Sequence, residues 1–175
     1  MKEYEFTLKF DLRNHYAEPA SFVDRLAENG CDDALIGIGK KGYIALEFIR
    51  EAHSAYDAVS SAIRDVKKAI PHAVLVQASP DIVGQTDIAE FLGCTRQNIR
   101  KLIESDAKHA PAPVHEGKYS LWRLADVLTW LQAEKNYPIS DVLLEIAEVN
   151  SQFNIISSLS KINSTHQEDI RVLVG

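Results

Sequence analysis

The chain has 175 residues, of which 46% are hydrophobic, and its formal net charge is −6. Enough apolar side chains are present to bury a core, which excludes a wholly disordered chain, and the acidic balance excludes nucleic-acid binding by bulk charge alone. No apolar run approaches the roughly 20 residues that a membrane-spanning helix needs, and the start MKEYEFTLKF is unlike a signal peptide. We expect a soluble, cytoplasmic protein without a membrane partner, in which Cys31 and Cys94 are small core residues.

Residues 1–83 alternate strand-like and helix-like segments. Apolar residues occupy every second position from Tyr4 to Phe10, which predicts a half-buried strand. The pattern then predicts a helix that begins at Pro19, two strands, a helix capped by Ser54, and a last strand at Ala73–Val76. The order βαββαβ favours an α+β, ferredoxin-like domain with two helices on one face of an antiparallel sheet. We expect residues 1–83 to serve dimerisation, or to sense a small-molecule ligand or a protein partner.

The segment QTDIAEFLGCTRQNIRKL, residues 85–102, has the pattern of a helix-turn-helix. Two helices that cross steeply need a small residue at the crossing, which Ala89 supplies, and the tight turn needs a left-handed backbone, which Gly93 tolerates. Thr86 and Thr95 are suitable N-caps for the two helices. The inner faces are apolar in register, at Ile88, Leu92, Cys94, Ile99 and Leu102. The alternative interpretation is an ordinary helical hairpin whose charged face is merely solvated.

The outward face of the second helix carries side chains that can contact DNA, and it has no acid before Glu104. Arginine can bind the O6 and N7 atoms of guanine through two hydrogen bonds, and glutamine can bind adenine in the same way. Hydroxyl and amide side chains near the helix start can reach phosphates. The predicted DNA-binding residues of this helix are Thr95, Arg96, Gln97, Asn98, Arg100 and Lys101.

Residues 104–135 predict a small hairpin followed by a helix. Pro111 and Pro113 hold the backbone extended, and Val114–Tyr119 is suited to a hairpin. Trp122 and Trp130 flank the apolar side of the helix that follows. We expect both tryptophans to pack in the core, and we expect no metal site in this segment because no cysteine lies nearby.

The segments TDIAEFLGCTRQNIRKL and PAPVHEGKYSLWRLADVLTWL together resemble the winged helix-turn-helix of the MerR and excisionase (AlpA-like) group, over residues 85–135. The positions that match the Trp-Arg…Asp-Val…Trp-Leu helix of that group are Trp122, Arg123, Asp126, Val127, Trp130 and Leu131. The resemblance implies that Thr95–Ile103 enters the major groove. It also implies that the wing, with His115, Lys118 and Tyr119, lies along the DNA backbone or minor groove. Arg123 is either a phosphate contact or an ordinary surface residue.

Residues 136–175 predict a long helix and a tail. Apolar residues recur at alternating steps of three and four, which is a heptad seam, at Ile139, Val142, Ile146, Val149, Phe153 and Ile156. Such a helix either packs on its own domain or pairs with a second copy. We favour pairing, and MerR proteins, by resemblance, also dimerise through a helix after the DNA-binding module. The end, IRVLV, is either a docking strand for a partner or part of the core.

The sequence therefore predicts a sequence-specific transcriptional regulator that binds double-stranded DNA as a homodimer, on half-sites about 34 Å apart or a multiple of that spacing. One alternative is an antitoxin or adaptor that binds a partner protein and regulates its own expression through DNA. Another is an excisionase-like architectural factor that bends DNA. We expect no catalysis, no cofactor and no metal, because no Gly-rich phosphate loop, Cys/His cluster or nucleophile–base pair stands out.

Overall fold

A computed structural model describes residues 1–13, 18–39, 41–162 and 164–174. A four-stranded antiparallel sheet occupies the first half of the chain, in the spatial order β2-β3-β1-β4. Its strands are β1 (Lys2–Asp11), β2 (Ala34–Gly37), β3 (Tyr43–Ala52) and β4 (Val74–Ser79). The predicted α+β class, with an antiparallel sheet, is confirmed. We call residues 2–79 the sheet domain.

Two helices pack against the sheet domain's core. The helix α2 (Ala55–Ala69) begins as predicted, because the Ser54 hydroxyl accepts a hydrogen bond from the Asp57 backbone N–H at 3.1 Å. The predicted helix at Pro19 is partly a 3-10 turn, Pro19–Phe22, and continues as the short helix α1 (Val23–Glu28).

Strict alternation along the two central strands divides the sheet into a core face and a free face. On β1 the side chains of Tyr4, Phe6, Leu8 and Phe10 are buried, whereas the residues between them are exposed or partly exposed. Phe6 lies opposite Phe48 of β3, and their rings stack with centroids 5.3 Å apart. Buried aromatic pairs of this kind stabilise a sheet through their cross-strand contact.

The same alternation carries Arg50 of β3 into the core. Its guanidinium donates to both carboxylate oxygens of Asp33, at 2.6 and 2.8 Å, to Asp65 at 3.0 Å and to the Gly30 carbonyl at 2.6 Å. A buried charge is tolerated when its hydrogen-bond donors are paired in this way. Asp33, which precedes β2, is therefore the main counter-ion of Arg50. Cys31 beside this group is buried as predicted, and burial raises the pKa of its thiol to about 11.

Three helices and a two-stranded sheet form a second unit. The helices are α3 (Gln85–Phe91), α4 (Arg96–Ser105) and α5 (Leu124–Lys135), and they surround a core of their own. The sheet consists of β5 (Ile82–Val83) and β6 (Trp122–Arg123). We call residues 82–135 the helical module. The predicted boundary after residue 83 assigned β5 to the first unit, whereas its pairing with β6 places it in the second.

The long helix α6 (Asp141–Leu159) packs against both units. Ile146 belongs to the core of the sheet domain, whereas the next residue, Ala147, belongs to the core of the helical module. The rings of Phe153 and Tyr56 of α2 stack with centroids 6.2 Å apart. Our expectation that the heptad seam pairs with a second copy is thus corrected, because these residues pack within their own chain; dimerisation itself stays a prediction. Of the seam residues, Ile156 alone is exposed.

The helix α6 also borders the edge strand β4. The Asn154 side chain accepts a hydrogen bond from the Ala78 N–H at 2.8 Å and donates to the Ala78 carbonyl at 2.7 Å. Farther along, the Ser157 hydroxyl donates to the Leu75 carbonyl at 3.2 Å. Side chains of a helix therefore satisfy backbone groups that the edge of a sheet would otherwise leave open.

The end of the chain is a helix, α7 (Gln167–Val174), which follows a 3-10 turn at Ser164–His166. The two alternatives that we considered for IRVLV, a docking strand and a piece of the core, are both wrong, because this segment is helical and its side chains are exposed. Among the described residues, no helix has the length and apolar character needed to cross a membrane.

Candidate nucleic-acid interface

The turn between α3 and α4 is built as the sequence predicts. Gly93 has a φ of 61°, in the left-handed region that glycine adopts without strain. The Cys94 N–H donates to the Ala89 carbonyl at 2.9 Å, and the Ala89 side chain is buried in the core of the helical module. The small residue and the left-handed glycine together set the angle at which α4 leaves the turn.

The two helices begin differently. The Thr95 hydroxyl accepts a hydrogen bond from the Asn98 N–H at 3.2 Å, so the predicted N-cap of α4 is confirmed. Thr86 is not the N-cap of α3, because that helix already begins at Gln85. The Asp87 carboxylate instead accepts a hydrogen bond from the Gly84 N–H at 2.7 Å. The bond therefore runs from a side chain inside the first turn back to the N-cap residue, and Thr86 lies exposed on that turn.

The helix α4 has one buried side and one exposed side. Ile99 is fully buried, and Leu102 and Ile103 are partly buried against the same core. A helix with this inner face turns its remaining positions outward. The six residues predicted from this helix are accordingly exposed, namely Thr95, Arg96, Gln97, Asn98, Arg100 and Lys101.

A groove of about 630 Å³ lies between α4, the start of α3 and the segment before β6. Four side chains that can carry positive charge line it: Arg96, Arg100, His115 and Lys118. Asp87, which also lines it, is held by the Gly84 N–H. The groove therefore favours an anionic ligand, even though the whole chain is acidic.

The far wall of the groove is the predicted wing. Its backbone closes where His115 and Leu121 face each other, with the Leu121 N–H donating to the His115 carbonyl at 2.9 Å. The hairpin thus ends at Leu121, whereas we predicted that it ends at Tyr119. Residues 116–120 form its exposed end, where the Lys118 ammonium lies 5.5 Å from the centre of the Tyr119 ring. Both side chains are accessible to a ligand in the groove.

Arg100 is paired in the free protein. Its guanidinium donates to the Glu104 carboxylate, one helical turn later, at 2.7 Å. This hydrogen bond raises the pKa of Arg100 above its usual value. Both side chains are largely exposed, so the pair contributes little to stability and can open when a stronger acceptor approaches.

The Arg123 side chain is bonded to other residues of its own chain. Its guanidinium donates to Asp81 at 3.0 Å and to the Ser151 hydroxyl at 2.8 Å. Asp81 is almost fully buried, and its other oxygen accepts a hydrogen bond from Asn154 at 2.7 Å. A side chain committed in this way is not free to bind a phosphate. We therefore remove Arg123 from the predicted DNA contacts and correct its role to a structural one.

The two tryptophans pack in the core of the helical module, as expected. The Trp122 ring nitrogen donates to the Pro111 carbonyl at 3.1 Å, which fixes the proline-rich segment that leads into the wing. The Lys135 ammonium lies 5.6 Å from the centre of the Trp130 ring. Trp122 thus holds the segment that leads into the wing and also borders the groove, whereas Trp130 packs beside the end of α5.

The carboxylate of Asp106 links the end of α4 to the end of α5. It pairs with the Lys135 ammonium at 2.8 Å and with the His109 ring at 2.7 Å. The hydrogen bond with Lys135, followed by that with His109, lowers the pKa of Asp106 to about 2. Both ends of α4 are therefore held: the Thr95 hydroxyl caps its start, and the pairs of Asp106 secure its end.

Three residues that position the module were missed in the sequence. They are Asp81, Ser151 and Asn154, which connect β5, β6 and α6 through Arg123. The one local sign in the sequence was a group of small polar residues in the second half of α6, which includes Ser151 and Asn154. Such residues on a helix can lie on one face, but nothing local indicates their distant partners.

Comparison with models of protein families, with characterised proteins and with solved structures found no significant match to this chain.

Proposed function

We propose that the protein is a sequence-specific DNA-binding transcriptional regulator of the cytoplasm, in which a ferredoxin-like domain carries a winged helix-turn-helix. The strand order and the helices of the sheet domain support the first assignment. The α3-turn-α4 unit, the hairpin closed at Leu121 and the β5–β6 pair support the second. The observation that carries the function is the groove of about 630 Å³ lined by Arg96, Arg100, His115 and Lys118.

In this proposal α4 enters the major groove. Arg96, Gln97 and Arg100 face the base edges, where arginine recognises guanine and glutamine recognises adenine. The phosphate contacts come from the ends of the surface, at Thr95, Asn98, Lys101, Lys118 and Tyr119. The cationic side chains of this surface are clustered on a protein whose net charge is negative, so binding is expected to weaken as salt rises.

The test is selection of bound sequences from a random pool of double-stranded DNA with the full chain at physiological salt. An enriched motif is expected for the wild type, and its loss is expected for Arg96→Ala/Arg100→Ala. The matched control is Arg25→Ala/Arg64→Ala, which removes two exposed arginines from α1 and α2 and changes the net charge equally. The same motif should be selected by this control. No enrichment for the wild type, or equal loss in both variants, would contradict the proposal.

We propose that the protein binds DNA as a homodimer, because one recognition helix buries little surface and two copies on a palindrome raise the affinity. The heptad seam of α6 is occupied within the chain, so the dimer contact would lie elsewhere. A palindromic motif together with a dimeric mass by sedimentation is the expected result. Directly repeated sites with DNA bending would instead favour an architectural factor, and a single half-site with a monomeric mass would refute the dimer.

A further inference from the structure

A second cavity, of about 830 Å³, also borders α3, and Asp87 of that helix lines both this cavity and the groove proposed above to bind DNA. One wall is the free face of the sheet, at Glu5 and Thr7 of β1 and Glu47 of β3. The opposite wall is formed by Glu90 and Phe91 of α3, and the start of α6 closes one side. The cavity therefore lies between the sheet domain and the helical module, which is a common place for small-molecule sites.

The charged side chains that line this cavity are all acidic among the described residues. The described residues that line it include no lysine, arginine or histidine. The carboxylates of Glu5, Glu47 and Glu90 form no ion pair or side-chain hydrogen bond with any other residue that the structure describes. Thr7 is paired in register with Glu47, so Glu5 and Glu47 are diagonal neighbours on adjacent strands. Like charges this close repel one another, and a bound cation would relieve the repulsion.

The rest of the lining is apolar. Phe91 and Ile82 are each more than one third exposed, and Val142 and Leu143 of α6 are partly buried beside them. Within the described part of the chain no three histidine, cysteine or carboxylate side chains are grouped closely enough to hold a metal ion. A carboxylate edge over exposed aromatic and aliphatic side chains suits an amine with an apolar body better than a hydrated inorganic ion.

We propose that this cavity binds an organic cation that carries aromatic or aliphatic groups. Glu5 and Glu47 supply the opposite charge, Glu90 adds to it from α3, and Phe91 and Ile82 contact the apolar body. The volume of about 830 Å³ lies within the range of roughly 300–1,000 Å³ typical of small-molecule sites.

The probes are a pair of ions with the same shape and opposite charge, tetraphenylphosphonium and tetraphenylborate. Isothermal titration calorimetry on the full chain without DNA is expected to show saturable binding of the cation and weaker binding of the anion. The Glu5→Gln/Glu47→Gln variant should bind the cation about tenfold more weakly. The control Glu18→Gln/Glu28→Gln changes the net charge equally at exposed positions away from the cavity, and it should bind like the wild type.

The proposal is overturned if tetraphenylphosphonium shows no saturable binding, if the two probes bind equally, or if both double variants lose the same affinity. Circular dichroism and urea unfolding establish that each variant is folded. Loss of the carboxylates is not expected to reduce stability, because both glutamates are exposed and unpaired.

A consequence for regulation rests on the proposed DNA binding. A ligand here contacts the sheet domain and α3 at once, and it shifts DNA affinity if it binds the DNA-bound arrangement more or less tightly than the free one. The selected DNA is therefore titrated with and without tetraphenylphosphonium, and a change of at least about threefold is expected in the wild type and none in Glu5→Gln/Glu47→Gln. Saturable cation binding without any DNA binding would refute the proposed function and leave the cation site intact. An unchanged DNA affinity would refute the coupling alone.

Discussion

Arg123 of β6 and Asp81, the residue before β5, form an ion pair of 3.0 Å at the junction of all three parts of the chain. Asp81 is 3% exposed, and it also accepts a hydrogen bond from Asn154 of α6. Arg123 in turn donates to Ser151 of the same helix. One carboxylate and one guanidinium thus fix the position of the helical module against α6.

Asp81→Ala is expected to lower the free energy of unfolding by about 3 kcal/mol, because it leaves the Arg123 charge without its counter-ion and removes one of the two acceptors of the Asn154 amide. Urea unfolding followed by circular dichroism measures the loss. Asp32→Ala, at an exposed aspartate, is the control and should change stability by less than about 0.5 kcal/mol. Equal stability of the two variants would show that the ion pair does not hold the module.

Glu104→Gln is expected to increase affinity for the selected DNA about twofold to fivefold. Glu104 holds the Arg100 guanidinium in the free protein and places a negative charge at the end of the proposed interface. Its replacement frees Arg100 and removes a repulsion with phosphate. Fluorescence anisotropy at fixed salt measures the change, with Glu134→Gln on the exposed side of α5 as the control. A weaker complex would mean that the Arg100–Glu104 pair prepares Arg100 for binding.

Lys118→Ala is expected to weaken binding to all DNA sequences alike and to reduce the slope of log K against log salt by about 1. Lys118 lies at the exposed end of the wing, where it can neutralise one phosphate but reads no base. Titrations over a range of salt measure the slope for wild type and variant. Lys67→Ala on α2 serves as the comparison. If both lysine variants kept the wild-type slope, the wing would not contact the DNA backbone.

Asp106→Asn is expected to reduce stability at neutral pH and to have a smaller effect in acid. The pairs with Lys135 and His109 lower the pKa of Asp106 in the folded protein to about 2, below its ordinary value of 3.8. The stabilisation is therefore complete above about pH 4 and is lost as the pH falls toward 2. Urea unfolding of both proteins between these values measures the difference. A constant difference across this range would mean that the carboxylate charge is not the source of stability.

Local signals in the sequence predicted local structure well. The alternation from Tyr4 to Phe10, the left-handed Gly93 and the Thr95 cap each depend on neighbouring residues, and each is found. Thr86 is not the cap because the Asp87 carboxylate bonds the Gly84 N–H, and the helix therefore has its N-cap two residues earlier, at Gly84. Two acceptable caps this close cannot be ranked from sequence alone.

Features that depend on distant contacts could not be predicted. The heptad pattern of α6 showed that one face is covered but not which surface covers it, and the answer is the chain's own sheet and helices. The sequence around Arg123 is equally compatible with an exposed arginine. Its structural role depends on Asp81 and Ser151, which are distant in the sequence. Arg50 occupies a position that the alternation of β3 makes buried. An arginine is ordinarily expected at the surface, so its burial could not be predicted without knowledge of its distant partners.

The Asn154 amide limits which fragments of this protein can be prepared separately. It occupies both backbone groups of Ala78, the positions at which an added strand would bond to β4. A fragment that stops after the sheet domain would lose Ile146 from its hydrophobic core and would also expose an unpaired strand edge, which is a template for pairing with identical chains. The helix α6, which follows the helical module in the sequence, is in this respect a cover for the edge of the sheet domain. Fragments made for separate study should therefore retain residues 141–159, although these lie far from the sheet in the sequence.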